Sequence, residues 1–145
     1  MQRDIIDSNS NIENKKKYTY EEDYDNSLIE DYTKLIHCNS STSRYYFIRG
    51  CAYYDQGNYE KAALDFTQLI YLDNQYSLAY YNRGLSYAHL NLLHEAVLDF
   101  TKAIELDNAD LSCHLNRARA YYELGEYEKA TQNYSYVISN DNQCV

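Results

Sequence analysis

Between residues 43 and 142 the apolar positions recur with a helical period, broken at regular intervals by polar, turn-forming residues. The clearest stretch places Tyr59, Ala62, Ala63, Phe66, Leu69 and Ile70 at i, i+3, i+4, i+7, i+10 and i+11, one face of an amphipathic helix. Ahead of it, Tyr46, Gly50, Tyr53 and Tyr54 form the face of a second, shorter helix. Gln56-Gly57-Asn58 separates the two, and Leu124-Gly125-Glu126 takes that place further on. Gly there predicts a left-handed cap ending the first helix, and Asn91 in the middle copy is the next-best residue for positive φ. Glu60 and Glu128 follow where a helix dipole favours acids. The second helices are expected to stop at Leu72-Asp73-Asn74, Leu106-Asp107-Asn108 and Asn140-Asp141-Asn142, with Asn as a left-handed stop or as the N-cap of the next helix.

The pattern repeats itself at one step. Asp31-Tyr32-Thr33, Asp65-Phe66-Thr67 and Asp99-Phe100-Thr101 lie 34 residues apart, and Asn133-Tyr134-Ser135 continues the series. Arg49-Gly50, Arg83-Gly84 and Arg117-Ala118 keep the same step, as do Tyr53, Tyr87 and Tyr121, and Ala62, Ala96 and Ala130. A period of this length means a stacked array, in which each unit buries its apolar face only against its neighbours. The small residues at 50, 84 and 118, and at 62, 96 and 130, mark where the two helices of a unit approach closely.

Tyr46-x2-Arg49-Gly50-x2-Tyr53 followed by Ala62-x3-Phe66, and Tyr80-x2-Arg83-Gly84-x2-Tyr87 followed by Ala96-x3-Phe100, resemble the tetratricopeptide repeat, W-x2-L-G-x2-Y…A-x3-F…P. His114, Arg117, Ala118, Tyr121, Ala130 and Tyr134 make a looser third copy. Arg replaces the usual aliphatic before Gly, and Asn replaces the closing Pro. The resemblance implies an all-α fold, a right-handed α-solenoid of antiparallel helix–turn–helix units. Its expected organisation is a disordered or weakly helical segment over 1–17, a degenerate first repeat over 18–42 that keeps mainly its second helix (21–37), and repeats over 43–76, 77–110 and 111–145. The last lacks a capping helix, so Tyr134, Val137 and Ile138 form an apolar face that self-association would cover.

Composition narrows the function. The chain has no Pro and only four Gly, which suits helices with little loop. Its 19 Tyr and absent Trp make Tyr a packing residue whose hydroxyl needs a partner or a wet edge. A net charge of −9 disfavours nucleic acid and anionic membranes alike. No apolar run reaches membrane-spanning length, and Met1 to Lys17 does not read as a signal peptide, so a cytoplasmic location is expected. Cys38, Cys51, Cys113 and Cys144 show no regular pairing and read as reduced thiols.

No catalytic motif, metal constellation or cofactor signature is present: G-x-S-x-G, GxxxxGK[ST] and HExxH are all missing. His37, His89, His94 and His114 form no i,i+4 pair and read as scattered surface or edge residues. Arg49, Arg83 and Arg117 recur with Asp31, Asp65 and Asp99; a structural ladder stacked on Tyr is one reading, a row of guanidiniums for an acidic ligand the other. The expectation is therefore a non-enzymatic protein–protein adaptor, with a structural subunit that homo-oligomerises through its C-terminal end as the alternative.

The family resemblance also implies a ligand groove lined by the first helices. Its positions here are Arg44, Phe47, Cys51 and Tyr54, then Leu78, Tyr81, Leu85 and Ala88 with Asn82 alongside, then Ser112, Leu115, Arg119 and Tyr122. This apolar and aromatic stripe with Arg near each end would suit a bulky apolar peptide or helix with some negative charge. The basic clamp that some family members use for a chaperone carboxylate is not matched: Phe47, Cys51, Asn82, Ser112 and Asn116 hold its places, and only Asn82 agrees.

Overall fold

The computed structural model describes residues 25–108 and 110–141. A first helix, α1, covers 25–38. After it come α2 (Ser43–Asp55), α3 (Tyr59–Leu72), α4 (Ser77–His89), α5 (Leu93–Leu106), α6 (Leu111–Glu123) and α7 (Tyr127–Asn140). Shifting α1 forward by 34 residues gives 59–72, the span of α3, so α1 stands as the second helix of a unit ahead of the three full pairs. The segment over 1–17 lies outside the described residues, as do the first residues of the helix expected from 21.

The turn inside each pair is closed as the cap residues predict: Gly57, Asn91 and Gly125 have φ of 75°, 59° and 78°. The turn between pairs is built differently from the expectation. Asn74 and Asn108 are neither left-handed stops nor N-caps; Asp73 and Asp107 end the helices in extended backbone, and the N-caps of the next helices are Tyr76 and Asp110. At the first of these turns Asp73 accepts the Gln75 N–H, a local bond that turns the chain without positive φ.

Each pair is welded at its small residues. Phe66 and Phe100 are fully buried, and a Cβ added at Gly50 or Gly84 would come within 2.9 Å of their Cε1 atoms. In the third pair the small residue is Ala118, also fully buried. Units then stack, each second helix on the following first helix (α3 on α4, α5 on α6), with Tyr46, Leu69 and Ala79 forming a core cluster. The first helices also touch one another, α2 with α4 and α4 with α6, whereas the second helices α3, α5 and α7 do not. The stack therefore curves toward the first helices, whose row forms its inner face. Among the described residues no helix is long and apolar enough to cross a membrane.

Candidate functional site

The repeated Arg–Asp pair is a structural ladder. Arg49 donates from Nε and Nη2 to the two Asp65 oxygens at 2.8 and 2.7 Å, and Arg83 does the same to Asp99 at 2.7 and 2.7 Å. Each pair lies within one unit. The remaining nitrogen, Nη1, crosses to the preceding unit, where Thr33, Thr67 and Thr101 accept from Arg49, Arg83 and Arg117 at 3.0, 3.1 and 3.1 Å. Tyr rings flank the guanidiniums: Tyr46 and Tyr53 about Arg49, Tyr80 and Tyr87 about Arg83. Each guanidinium thus ties the two helices of its own unit together and holds that unit to the one before. The third rung is weaker, because Asn133 replaces the acid and accepts one bond, from Arg117 Nε at 2.9 Å.

A second set of inter-unit contacts runs along the inner face. Tyr54 and Tyr59 meet edge to face at 5.2 Å, and the His89 ring stacks on Tyr59 at 4.2 Å with 3° between the planes. His89 Nε2 is 3.0 Å from the Tyr54 hydroxyl. In the next unit Asn116 donates to the Tyr81 hydroxyl at 3.2 Å. The Tyr54 and Tyr81 hydroxyls thus find partners on the following unit. Exposed His89 fits the reading of surface or edge histidines, and His114 corrects it. His89 belongs to this ring cluster, while His114 is buried, stacks on Tyr136 at 4.1 Å and lies 3.2 Å from Asn108 Oδ1. Burial, helped by the Arg117 charge, holds the His114 imidazole below its ordinary pKa.

The stripe implied by the family resemblance divides in two. Arg44, Leu78, Ser112, Arg119 and Tyr122 are exposed, whereas Phe47, Cys51, Tyr54, Tyr81, Asn82, Leu85 and Leu115 are half-buried. Phe47 packs on Phe66 and Tyr76, and Tyr81 on Phe100, so these two hold units together as well as lining the face. Cys51 and Cys113 are free thiols whose pKa burial pushes up to about 11 and about 12, which favours the protonated form at neutral pH. No group of three or more metal-ligating side chains occurs among the described residues.

Two cavities open beside the stripe. One, of about 460 Å³, lies between α2 and α3 and is lined by Arg44, Phe47, Ile48, Leu69, Asp73 and Tyr76 among others. The other, of about 190 Å³, lies between α4 and α6; Leu85, Asn116 and Arg119 line it together with His89, Leu93, Phe100 and Glu123. His89 and Leu93 were missed by motif reading because they fall outside the repeat signature. The alternation Tyr59, Leu93, Tyr127 along the 34-residue step was the available signal.

At the far end, the three α7 residues expected to form an apolar face differ in exposure. Ile138 is 69% exposed, while Tyr134 and Val137 are half-buried. At the opposite end of α7, beside its turn with α6, Tyr122 and Tyr127 are 60% and 61% exposed and meet edge to face at 5.3 Å as Tyr54 and Tyr59 do.

Comparison with known proteins agrees with this architecture. Models of the tetratricopeptide repeat match residues 43–76, 77–109 and 111–144. No curated protein matches the sequence. Among solved structures, a MamA crystal structure superposes with a TM-score of 0.79 at 21% identity, covering 82% of this chain and 70% of that one. The Arabidopsis OM64 TPR domain gives 0.67 at 26%, covering 70% and 84%. The second TPR of Spaghetti (RPAP3), solved with the HSP90 peptide SRMEEVD, gives 0.67 at 27%, covering 70% and 95%. With three consecutive repeats matched across the helical pairs, the chain belongs to the tetratricopeptide repeat family.

Proposed function

We propose that the protein is a non-catalytic adaptor that holds a segment of another protein along the inner face of α2, α4 and α6. The observation that carries this reading is the open cavity between α4 and α6, lined jointly by stripe residues of neighbouring units, Leu85 and Ala88 with Arg119. Concave, largely apolar sites with a few polar groups are where ligands bind. The Spaghetti repeat bound to an HSP90 peptide supports peptide capture as the mode. The clamp places held by Phe47, Cys51, Ser112 and Asn116 point away from a chaperone carboxylate as ligand. An apolar or aromatic segment with some acidic character fits Arg44 and Arg119, and a cytoplasmic setting, away from nucleic acid and membrane, fits the net charge of −9. Leu78→Glu with Tyr122→Ala alters two exposed stripe positions outside that cavity. A partner captured from native lysate by the parent chain and lost by this variant, with unchanged thermal unfolding, is the expected result; capture equal in both refutes groove binding.

A second reading rests on the exposure of Ile138, at 69%, on the outer helix of the last unit: the α7 face is one through which copies of the chain assemble. Sedimentation velocity over a hundredfold concentration range tests it. Ile138→Lys should remove any self-association, and a monomer mass throughout the range in the parent chain excludes this role.

A further inference from the structure

The two junctions between full units differ at one station. At the first, Tyr54 and Tyr59 enclose the His89 ring, which stacks at 4.2 Å and meets the Tyr54 hydroxyl at 3.0 Å. One 34-residue step later the same three positions are Ala88, Leu93 and Glu123. Two rings have become a methyl and an isobutyl group, and the inserted ring has become a carboxylate. The cavity of about 190 Å³ opens at that station, over Phe100.

We propose that this cavity is a subsite for one aromatic side chain, Tyr or Phe, of the segment held in the groove; the proposal rests on the groove reading above. The volume lies below the roughly 300–1,000 Å³ of a site for a whole small ligand, so it suits a single side chain. Leu85, Ala88, Leu93 and Ala120 give the lining its apolar part, His89 and Glu123 stand among them, and the fully buried Phe100, on which Tyr81 packs tilted at 6.0 Å, backs it. At the rim stands exposed Arg119. Arg49 and Arg83 lie 5.6 to 6.0 Å from their Tyr centroids, and a guanidinium over an entering ring repeats that chemistry. Asn116 spends its amide nitrogen on the Tyr81 hydroxyl and the Ser112 carbonyl. Its amide oxygen is the acceptor left for a backbone N–H of the entering residue. An aliphatic side chain would fill the space but gain nothing from Arg119.

The test uses N-acetyl-tyrosinamide, N-acetyl-phenylalaninamide and N-acetyl-leucinamide as probes, titrated into the ¹⁵N-labelled full chain. The aromatic amides should shift the signals of Ala88, Leu93 and Ala120, with leucinamide at least threefold weaker. Ala88→Tyr with Leu93→Tyr carries the residues of the closed station into the open one. It should weaken aromatic binding at least tenfold while the thermal midpoint holds or rises. If that variant does not fold, Arg119→Gln on the exposed rim should weaken aromatic binding at least threefold with native melting. Leucinamide binding as tightly as the aromatics, shifts confined to other residues, or undiminished binding by whichever variant folds would each overturn the subsite. A protein partner kept by the filled variant but lost by Leu78→Glu/Tyr122→Ala overturns the aromatic subsite and leaves groove binding standing.

Discussion

Arg83→Ala isolates what the ladder contributes. Arg83 holds both oxygens of Asp99 at 2.7 Å and reaches Thr67 across the junction, so its loss cuts one bond between units and strands an acid that is 5% exposed. Leaving a buried charge without its partner costs about 3–5 kcal/mol. Against a typical total of about 5–15 kcal/mol, that is a large fraction of the stability. The defect sits in the middle unit, which both neighbours pack against, so the whole transition should register it.

The loss also carries a pH signature. Burial already pulls the Asp99 carboxyl above its ordinary pKa, and Arg83 is what opposes the pull. Without Arg83 only the upward effect remains, so the folded variant takes up a proton at a pH where an unfolded Asp, pKa about 3.9, does not. A raised folded pKa makes the deficit largest above that pKa and smaller as pH falls toward the unfolded value. Urea unfolding followed by circular dichroism at pH 8 and pH 5 should show the full loss at pH 8 and a reduced one at pH 5. Arg83→Ala/Asp99→Ala strands nothing and should lose less than the single variant at pH 8. A loss below about 1 kcal/mol at pH 8, or equal losses at both pH values with no relief in the double variant, would refute the ladder.

Three further outcomes follow from the same contacts. Gly84→Leu forces a side chain where even a Cβ meets Phe100 at 2.9 Å; it should cost roughly 1–3 kcal/mol, and an unchanged melting temperature would contradict the helix crossing. Asn133→Asp should convert the single Arg117 bond into a charge-assisted, two-pronged one and stabilise by about 1 kcal/mol at pH 7, a gain that disappears in an Arg117→Ala background. Iodoacetamide labelling read by peptide mass spectrometry should modify exposed Cys38 readily, while Cys51 and Cys113, pushed up to about 11 and about 12, label fast only in urea.

The signature residues made the scaffold legible before any coordinates. Gly57, Asn91 and Gly125 announced their turns because positive φ restricts residue choice so sharply. Gly50 and Gly84 announced their crossings because nothing larger fits beneath Phe66 and Phe100. The inter-pair turns misled: Asn74 and Asn108 suggested caps, yet an extended Asp at 73 and 107 does that work, and Asp is common enough here that its position carried no signal. The Arg–Asp recurrence was visible too, but its direction was not, since a 34-residue period leaves open whether Arg83 meets the Asp before it or after it. Only the packing angle of the pair settles that it reaches forward to Asp99 and sends Nη1 back to Thr67.

The candidate site was the least legible part, for a reason that follows from how repeats are built. The 34-residue signature records positions where every unit needs the same residue, namely the crossing, the caps and the ladder. A binding site needs the opposite, a place where one unit departs from its neighbours. Tyr54, Ala88 and Tyr122 occupy one such position, and Tyr59, Leu93 and Tyr127 another. Tyr at both positions encloses a ring at the first junction, and Ala with Leu opens a cavity at the second. Tyr again at both leaves an exposed pair at the α6–α7 turn of the last unit. The scaffold therefore lies in what the repeats share, and the places a partner can enter lie in where they differ.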